Sequence, residues 1–222
     1  MISASASAKA QDKPIVFVVD DDVSVRESLE LMIQFAGWQP ETFASAEDFL
    51  ARPRSIGPSC LVLDVSLPNL SGLDLQKLIS ADRTDMPIIF ITGHGDIPMT
   101  VQAMKAGAVE FLTKPIDDDA LLSAIRSAIK RSAASLDEQT ELQALRDCYA
   151  SLTPREREVM RLVVSGMLNK QVGIKLGISE ITVKAHRGKV MQKMKADFVA
   201  DLVKIAVRLG LTPARNPWHV SL

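Results

Sequence analysis

Long apolar runs are absent from the 222 residues of this chain, and cysteine, histidine and aromatic residues are few. No stretch approaches the ~18 apolar residues of a membrane-spanning helix, so no membrane partner is expected. The two cysteines, Cys60 and Cys148, cannot build a disulfide framework, and three histidines without a Cys/His cluster give no signal for zinc. Residues 1–12 lack the apolar segment of a signal peptide. These absences predict a protein of a reducing, cytoplasmic compartment.

A glycine-rich phosphate loop is also missing, which excludes an AAA+ ATPase. The net charge of −1 hides an asymmetry between the two halves of the chain. Residues 13–131 carry 17 acidic and 11 basic side chains, and residues 132–222 carry 9 acidic and 14 basic ones. This asymmetry favours a cation site in the first half and a polyanionic partner for the second. Charges scattered over two solvated surfaces would give the same counts.

The length suggests two domains, and hydrophobic residues make up 47% of the chain, enough for two cores. Residues 13–131 alternate short apolar strands with amphipathic helices. This alternation predicts an α/β domain with a doubly wound, five-stranded parallel sheet of the flavodoxin-like type. Four of the strands can be placed, at 15–19, 60–63, 88–91 and 108–112. The helices are predicted at 23–37, 45–51, 72–81, 98–106 and 118–131.

Strand signals vanish in the second half of the chain. Residues 132–150 are predicted to form a polar, partly helical linker, and residues 151–211 an all-α domain with helices at about 154–165, 169–176, 180–195 and 198–209. Thr153, Pro154 and Glu156 have the pattern of a capping box, while Asn169 and Ser179 are predicted to cap the second and third of these helices. The tails, 1–12 and 212–222, are predicted to be disordered and irregular.

Polar side chains follow the four placed strands at the points where they end. Asp20 and Asp21 follow the first strand, Asp64 the second, Thr92 the third and Lys114 the fourth. Groups just past the strand ends of an open parallel sheet gather in one crevice. Three carboxylates are costly there unless a divalent cation joins them. Each residue alone could be a helix cap or a turn residue, so only the joint arrangement indicates a site.

This combination of side chains suits phosphoryl transfer to an aspartate. Asp64 is the candidate nucleophile, and Asp20 and Asp21 are candidate ligands of Mg²⁺. Lys114 would pair with one phosphate oxygen, and the hydroxyl of Thr92 would donate to another. A haloacid-dehalogenase-like phosphatase, the enzymatic alternative, needs a second aspartate two residues after the nucleophile, where this chain has Ser66.

Residues 14–131 resemble the receiver domain of two-component response regulators. The matching stretches include Val-Val-Asp-Asp-Asp at 18–22, Leu-Val-Leu-Asp at 61–64, Ile-Thr-Gly at 91–93 and Leu-Thr-Lys-Pro at 112–115. The resemblance implies phosphotransfer from a sensor histidine kinase to Asp64. It also implies a Mg²⁺ shell completed by the carbonyl of Ser66 and a cis Lys114–Pro115 bond.

The same resemblance implies a switch in which Thr92 moves toward the phosphate and Phe111 turns inward. Composition alone favours Phe111 as an ordinary core residue. The surface rearranged by the switch would include Val101, Met104 and Lys105. We predict dimerisation through these residues in the phosphorylated protein.

The third helix of the second half is strongly basic. Val183, Val190 and Met194 share one of its faces, which is expected to pack inward. The candidate DNA-binding residues are Thr182, Lys184, Ala185, Arg187, Gly188, Lys189, Gln192 and Lys195. Long cations, an amide and a small apolar contact suit a DNA major groove. A basic helix that only faces solvent is the alternative.

The second half resembles the LuxR-type helix-turn-helix. The matching stretches are Leu-Thr-Pro-Arg-Glu-Arg-Glu-Val-Met at 152–160, Asn-Lys-Gln-Val at 169–172 and Leu-Gly-Ile-Ser-Glu-Ile-Thr-Val-Lys-Ala-His-Arg at 176–187. A receiver followed by this module is typical of the FixJ/NarL family of bacterial response regulators. The resemblance implies a transcription regulator that binds double-stranded DNA, with RNA polymerase as a further partner. The alternative is a phosphate sink or adaptor that acts by protein contacts.

Overall fold

The structure is a computed structural model that describes residues 13–80, 82–93 and 97–211. The chain divides into two compact units between Asp137 and Glu138. The elements of the first unit are β1 (Ile15–Val19), α1 (Val23–Phe35), β2 (Gln39–Phe43), α2 (Ala46–Ala51), β3 (Ser59–Asp64), α3 (Gly72–Ile79), β4 (Ile88–Thr92), α4 (Ile97–Lys105), β5 (Glu110–Thr113) and the start of α5 (Asp118–Ala150). The second unit adds α6 (Pro154–Val164), α7 (Asn169–Leu176), α8 (Glu180–Lys193) and α9 (Val199–Arg208).

The first unit is built on a five-stranded parallel sheet with the strand order β2-β1-β3-β4-β5. Side chains from alternate positions of the strands form two cores, one on each face of the sheet. One core is centred on Phe17, Leu63 and Phe90, and the other on Val18 and Ile89. The predicted fold class is confirmed: a doubly wound α/β unit followed by a helical one. The strand order reverses between β1 and β3, which opens a crevice at their carboxyl ends.

Both strands at the edges of the sheet differ from the sequence prediction. β2, with the sequence Gln-Pro-Glu-Thr-Phe, lacks an apolar run and could not be placed from the sequence. It lies at an edge and pairs with β1, which is where a strand containing proline is tolerated. β5 begins at Glu110, not at residue 108 as predicted.

Helix α5 is longer than predicted, because residues 118–131 and the expected linker at 132–150 form one continuous helix. No glycine or proline interrupts this stretch of sequence. The hydroxyl of the buried Ser132 accepts a hydrogen bond from the Ser59 N–H over 3.0 Å, which fastens α5 to the first residue of β3. The predicted tails, 1–12 and 212–222, lie outside the described residues.

The second unit packs its helices around a core centred on Val159, Val172, Val183 and Leu202. The predicted capping box of α6 is present. Asn169 is the first residue of α7 and not its cap, so that prediction was wrong; the cap position belongs to Leu168. Among the described residues, every helix is either too short or too polar to span a bilayer.

Candidate functional site

The predicted pocket residues meet at the carboxyl ends of the strands. Asp64 and Thr92 are the last residues of β3 and β4, while Asp20 and Lys114 directly follow β1 and β5. The Nζ atom of Lys114 lies 2.7 Å from Asp20 Oδ2 and 2.7 Å from Asp64 Oδ2. Asp20, Asp64 and Thr92 are buried. The structure therefore gathers a bridging ammonium, two buried carboxylates and a hydroxyl at one end of the sheet.

Backbone groups hold the second oxygen of each buried carboxylate. Asp20 Oδ1 accepts from the Asp22 N–H over 2.9 Å, and Asp64 Oδ1 accepts from the Ser66 N–H over 3.0 Å. Burial raises the pKa of Asp20, and the hydrogen bond from Lys114 opposes this rise only in part. Desolvation lowers the pKa of Lys114, but its bonds to Asp20 and Asp64 outweigh that effect, so the pKa is raised overall. Lys114 is therefore held as a cation.

Three acidic side chains of this pocket fit a divalent cation. One carboxylate oxygen from each of Asp20, Asp21 and Asp64 lies within 4.8 Å of the others, and Asp21 is exposed to solvent. Carboxylate oxygens are the hard ligands that Mg²⁺ prefers. The single charge of Lys114 leaves these three carboxylates with a net negative charge, which favours a bound cation.

The start of α3 packs directly on the end of β3. The Gly72 N–H donates to the Val65 carbonyl over 3.0 Å. A Cβ atom built on Gly72 would lie 2.3 Å from the backbone oxygen of Asp64, closer than real side chains come. The sequence predicts a helix start at Gly72 but carries no signal for this contact. Glycine is therefore required at position 72, because a side chain there would displace the backbone of Asp64 in the pocket.

The predicted switch residues lie on neighbouring strands. Phe90 and Phe111 are paired in register across β4 and β5, and their ring centroids are 6.2 Å apart. The Lys114 N–H donates to the Thr92 carbonyl over 2.7 Å, which joins the two strand ends. The Lys114–Pro115 peptide bond is cis, as the resemblance implied.

The residues predicted to mediate dimerisation lie on α4. Val101, Met104 and Lys105 are all exposed there.

Most of the predicted DNA-binding residues are exposed on α8. The exposed members are Thr182, Lys184, Ala185, Gly188, Lys189 and Gln192. Arg187 is half-buried, and its guanidinium donates to Asn169 of α7 over 3.1 Å. Lys184 lies 3.3 Å from Glu180, an exposed pair that water and salt weaken. Lys195 lies outside the helix, which was predicted to extend to residue 195. The helix α8 ends at Lys193, and Lys195 has a φ of 52°, which is not a right-handed helical value.

A charged pair inside the second unit was not predicted. Glu156 is buried, and its Oε2 lies 2.7 Å from Lys193 Nζ and 2.9 Å from the Thr153 N–H. The bond from Lys193, helped by the Thr153 N–H, lowers the pKa of Glu156. The sequence predicts Glu156 in the capping box, but nothing in it pairs Glu156 with Lys193. The ammonium group of Lys193 instead forms an ion pair with Glu156 of α6.

Two family models match the two units. The response regulator receiver domain matches residues 16–126, and the luxR family of bacterial regulatory proteins matches residues 150–206. Nodulation protein W of Bradyrhizobium diazoefficiens is 48% identical over 204 residues, which cover 92% of this chain and 90% of that protein. The transcriptional regulatory protein FixJ of the same organism is 39% identical over 196 residues, which cover 88% of this chain and 96% of that protein.

A solved structure leads to the same family. The response regulator StyR is 46% identical and superposes with a TM-score of 0.79, covering 88% of this chain and 99% of that one. The order of the two matched domains is the order of the two units described above. The chain therefore belongs to the FixJ/NarL family of two-component response regulators, transcription regulators controlled by phosphorylation that are not enzymes.

Proposed function

We propose that Asp64 is the residue that accepts the phosphoryl group. The observation that supports this most strongly is the bridging position of Lys114, 2.7 Å from both Asp20 and Asp64. Asp64 Oδ2 would attack the phosphorus of a phosphohistidine on a sensor histidine kinase. An O–P bond forms as the P–N bond breaks, and the ring nitrogen of that histidine leaves with the electron pair. The product is an aspartyl phosphate.

We further propose that Asp20, Asp21, Asp64 and the carbonyl of Ser66 hold Mg²⁺. When bound, the ion would reduce the repulsion between an anionic carboxylate and an anionic phosphoryl group. Lys114 already lies against Asp64, so it can pair with a phosphate oxygen after a small movement of its flexible side chain. Thr92, at the end of the next strand, would donate its hydroxyl to another phosphate oxygen.

We propose that phosphorylation promotes dimerisation through α4. Val101 and Met104 are large apolar side chains that are 44% and 43% exposed, with Lys105 beside them. Inward rotation of Phe111 would follow the movement of Thr92, because the two residues lie on paired strands. The phosphate favours the dimerising form only through contacts that it makes better in that form.

The exposed arc of α8 supports binding to the major groove of double-stranded DNA. Lys184, Lys189 and Gln192 offer groups for phosphates and base edges, and Ala185 offers a contact for a thymine methyl group. Gly188 lets the backbone of α8 approach the DNA closely. We also propose that the protein contacts RNA polymerase while it is bound to DNA, and that it acts in the cytoplasm.

A measurement of molar mass by light scattering tests the first step. With Mg²⁺ and a small phosphodonor, the wild-type protein should double its mass, while Asp64→Ala should remain a monomer. Asp82→Ala, which removes an exposed acid from the loop before β4, should behave as the wild type. Phosphorylation that persists in Asp64→Ala would contradict the choice of acceptor. A wild-type monomer with confirmed phosphate on Asp64 would contradict dimerisation.

Titration of a mixed-sequence DNA duplex at several salt concentrations tests the DNA-binding step. Lys184→Ala should weaken binding and reduce the slope of log affinity against log salt by about 0.9 if it removes one phosphate contact. Lys204→Ala, which removes an exposed lysine from α9, is the matched control and should leave the slope unchanged. A phosphorylated wild-type protein that binds no DNA at any salt concentration would favour the phosphate-sink or adaptor alternative.

A further inference from the structure

Arg187 on α8 donates a hydrogen bond to a neutral side chain of the neighbouring helix. Its Nη1 atom donates to Oδ1 of Asn169, the first residue of α7, over 3.1 Å. A guanidinium carries several further N–H donors, so this bond leaves most of its capacity for a ligand. Because the acceptor is an amide, the bond orients the cation without neutralising its charge.

An open cleft lies beside this bond, between α7, α8 and the start of α9. Its lining includes Asn169, Lys184, Arg187, Gly188, Asp197 and Phe198. Gly188 contributes no side chain, and a Cβ atom built there would meet nothing within 4 Å. The cleft therefore opens onto the part of α8 that carries the exposed Lys184 and Gly188.

The orientation of Arg187 matters because an acidic residue, Asp197, lines the same cleft. A carboxylate is a stronger partner for a guanidinium than an amide is. Among the ion pairs within the described residues, Arg187 takes part in none. A pair between Arg187 and Asp197 would cancel the charge that attracts a DNA phosphate.

We infer that Asn169 is a positioning residue for DNA binding, which holds the Arg187 guanidinium toward a DNA phosphate and away from Asp197. The inference rests on the proposed function of α8. It assigns Asn169 a role that acts entirely through Arg187. Loss of the amide would leave the guanidinium free to swing to Asp197 and would remove one phosphate contact.

The salt dependence of binding to a mixed-sequence DNA duplex distinguishes this role from a purely structural one. Asn169→Ala exchanges one uncharged residue for another, yet it should lower affinity about fivefold, the equivalent of one hydrogen bond. It should also reduce the salt slope by up to about 0.9, because a phosphate contact is lost. Arg187→Ala should give the same reduction, and Asn169→Ala should add nothing to it. Introducing Asp197→Asn into the Asn169→Ala protein should restore the slope.

Ile174→Ala, on an exposed position of the same helix, is the control and should change neither quantity. Thermal unfolding of each variant shows that its second unit is folded. An unchanged slope in Asn169→Ala, or an equal loss of affinity in the Arg187→Ala background, overturns the positioning role while DNA binding by α8 stands. A wild-type protein that fails to bind duplex DNA overturns both.

Discussion

Substitution of Gly72 by alanine should destabilise the first unit by about 3 kcal/mol, the upper range for overpacking a closely packed site. The added Cβ would lie 2.3 Å from the carbonyl oxygen of Asp64 and 3.1 Å from the Cα of Val65. Both neighbours are backbone atoms, so no side-chain rotation relieves the contact. Either α3 or the end of β3 must shift, at the cost of the hydrogen bond from the Gly72 N–H to the Val65 carbonyl.

The same shift should slow phosphorylation of Asp64, the proposed acceptor. The carboxylate of Asp64 is held 2.7 Å from Lys114 and 3.0 Å from the Ser66 N–H, and displacement of its backbone disturbs both contacts. We expect phosphorylation by a small phosphodonor to be at least about tenfold slower, since misplaced reacting groups carry penalties of this size or larger. Mass spectrometry of the intact protein over time measures the rate.

Urea unfolding followed by Trp38 fluorescence measures the loss of stability, because Trp38 packs against the core between the sheet and α5. A Trp218→Phe background removes the second tryptophan signal. Gly57→Ala is the matched control: a Cβ there meets nothing within 4 Å, so its unfolding midpoint should change little. Wild-type stability together with wild-type phosphorylation in Gly72→Ala would show that the close approach has no role.

The parts of the fold that could be predicted share a local signal. Strands β1, β3 and β4 are buried on both faces, so each is a continuous apolar run, and the polar residue that ends it marks the pocket. β2 gives no such signal, because its residues at the sheet edge are only partly buried. The full length of α5 was missed for a related reason, since its buried residues end at Ser132 and the residues after it are at most partly buried.

The pocket could be predicted because topology alone brings strand ends together, whereas specific partners could not. Lys193 and Glu156 are 37 positions apart, and nothing in either local sequence distinguishes this lysine from its basic neighbours. The bond between Arg187 and Asn169 spans 18 positions and depends on how α7 crosses α8. Such contacts are set by helix packing, which the hydrophobic pattern predicts in outline but not in register.

Replacing Lys193 by methionine should destabilise the second unit by about 1–3 kcal/mol, between the usual values for exposed and buried ion pairs. Glu156 is buried, while the side chain of Lys193 is 34% exposed, so the loss falls short of that for a fully buried pair. The variant leaves the Glu156 carboxylate with the Thr153 N–H as its remaining strong donor. Hydrogen exchange of the amides in α6 and α8 measures the change in opening free energy.

The dependence of folding stability on pH should distinguish the ion pair between Glu156 and Lys193 from a simple packing effect. The pKa of Glu156 is held below its ordinary value of 4.5, so the carboxylate stabilises the folded state above that pH. This contribution is lost as the pH falls from 4.5 through the lowered pKa. Lys193→Met removes the main cause of the shift, so its stability should fall less steeply over this range than that of the wild type. Lys189→Met, an exposed change on the same helix, should keep the wild-type acid dependence, and an equally steep fall in Lys193→Met would disprove the coupling.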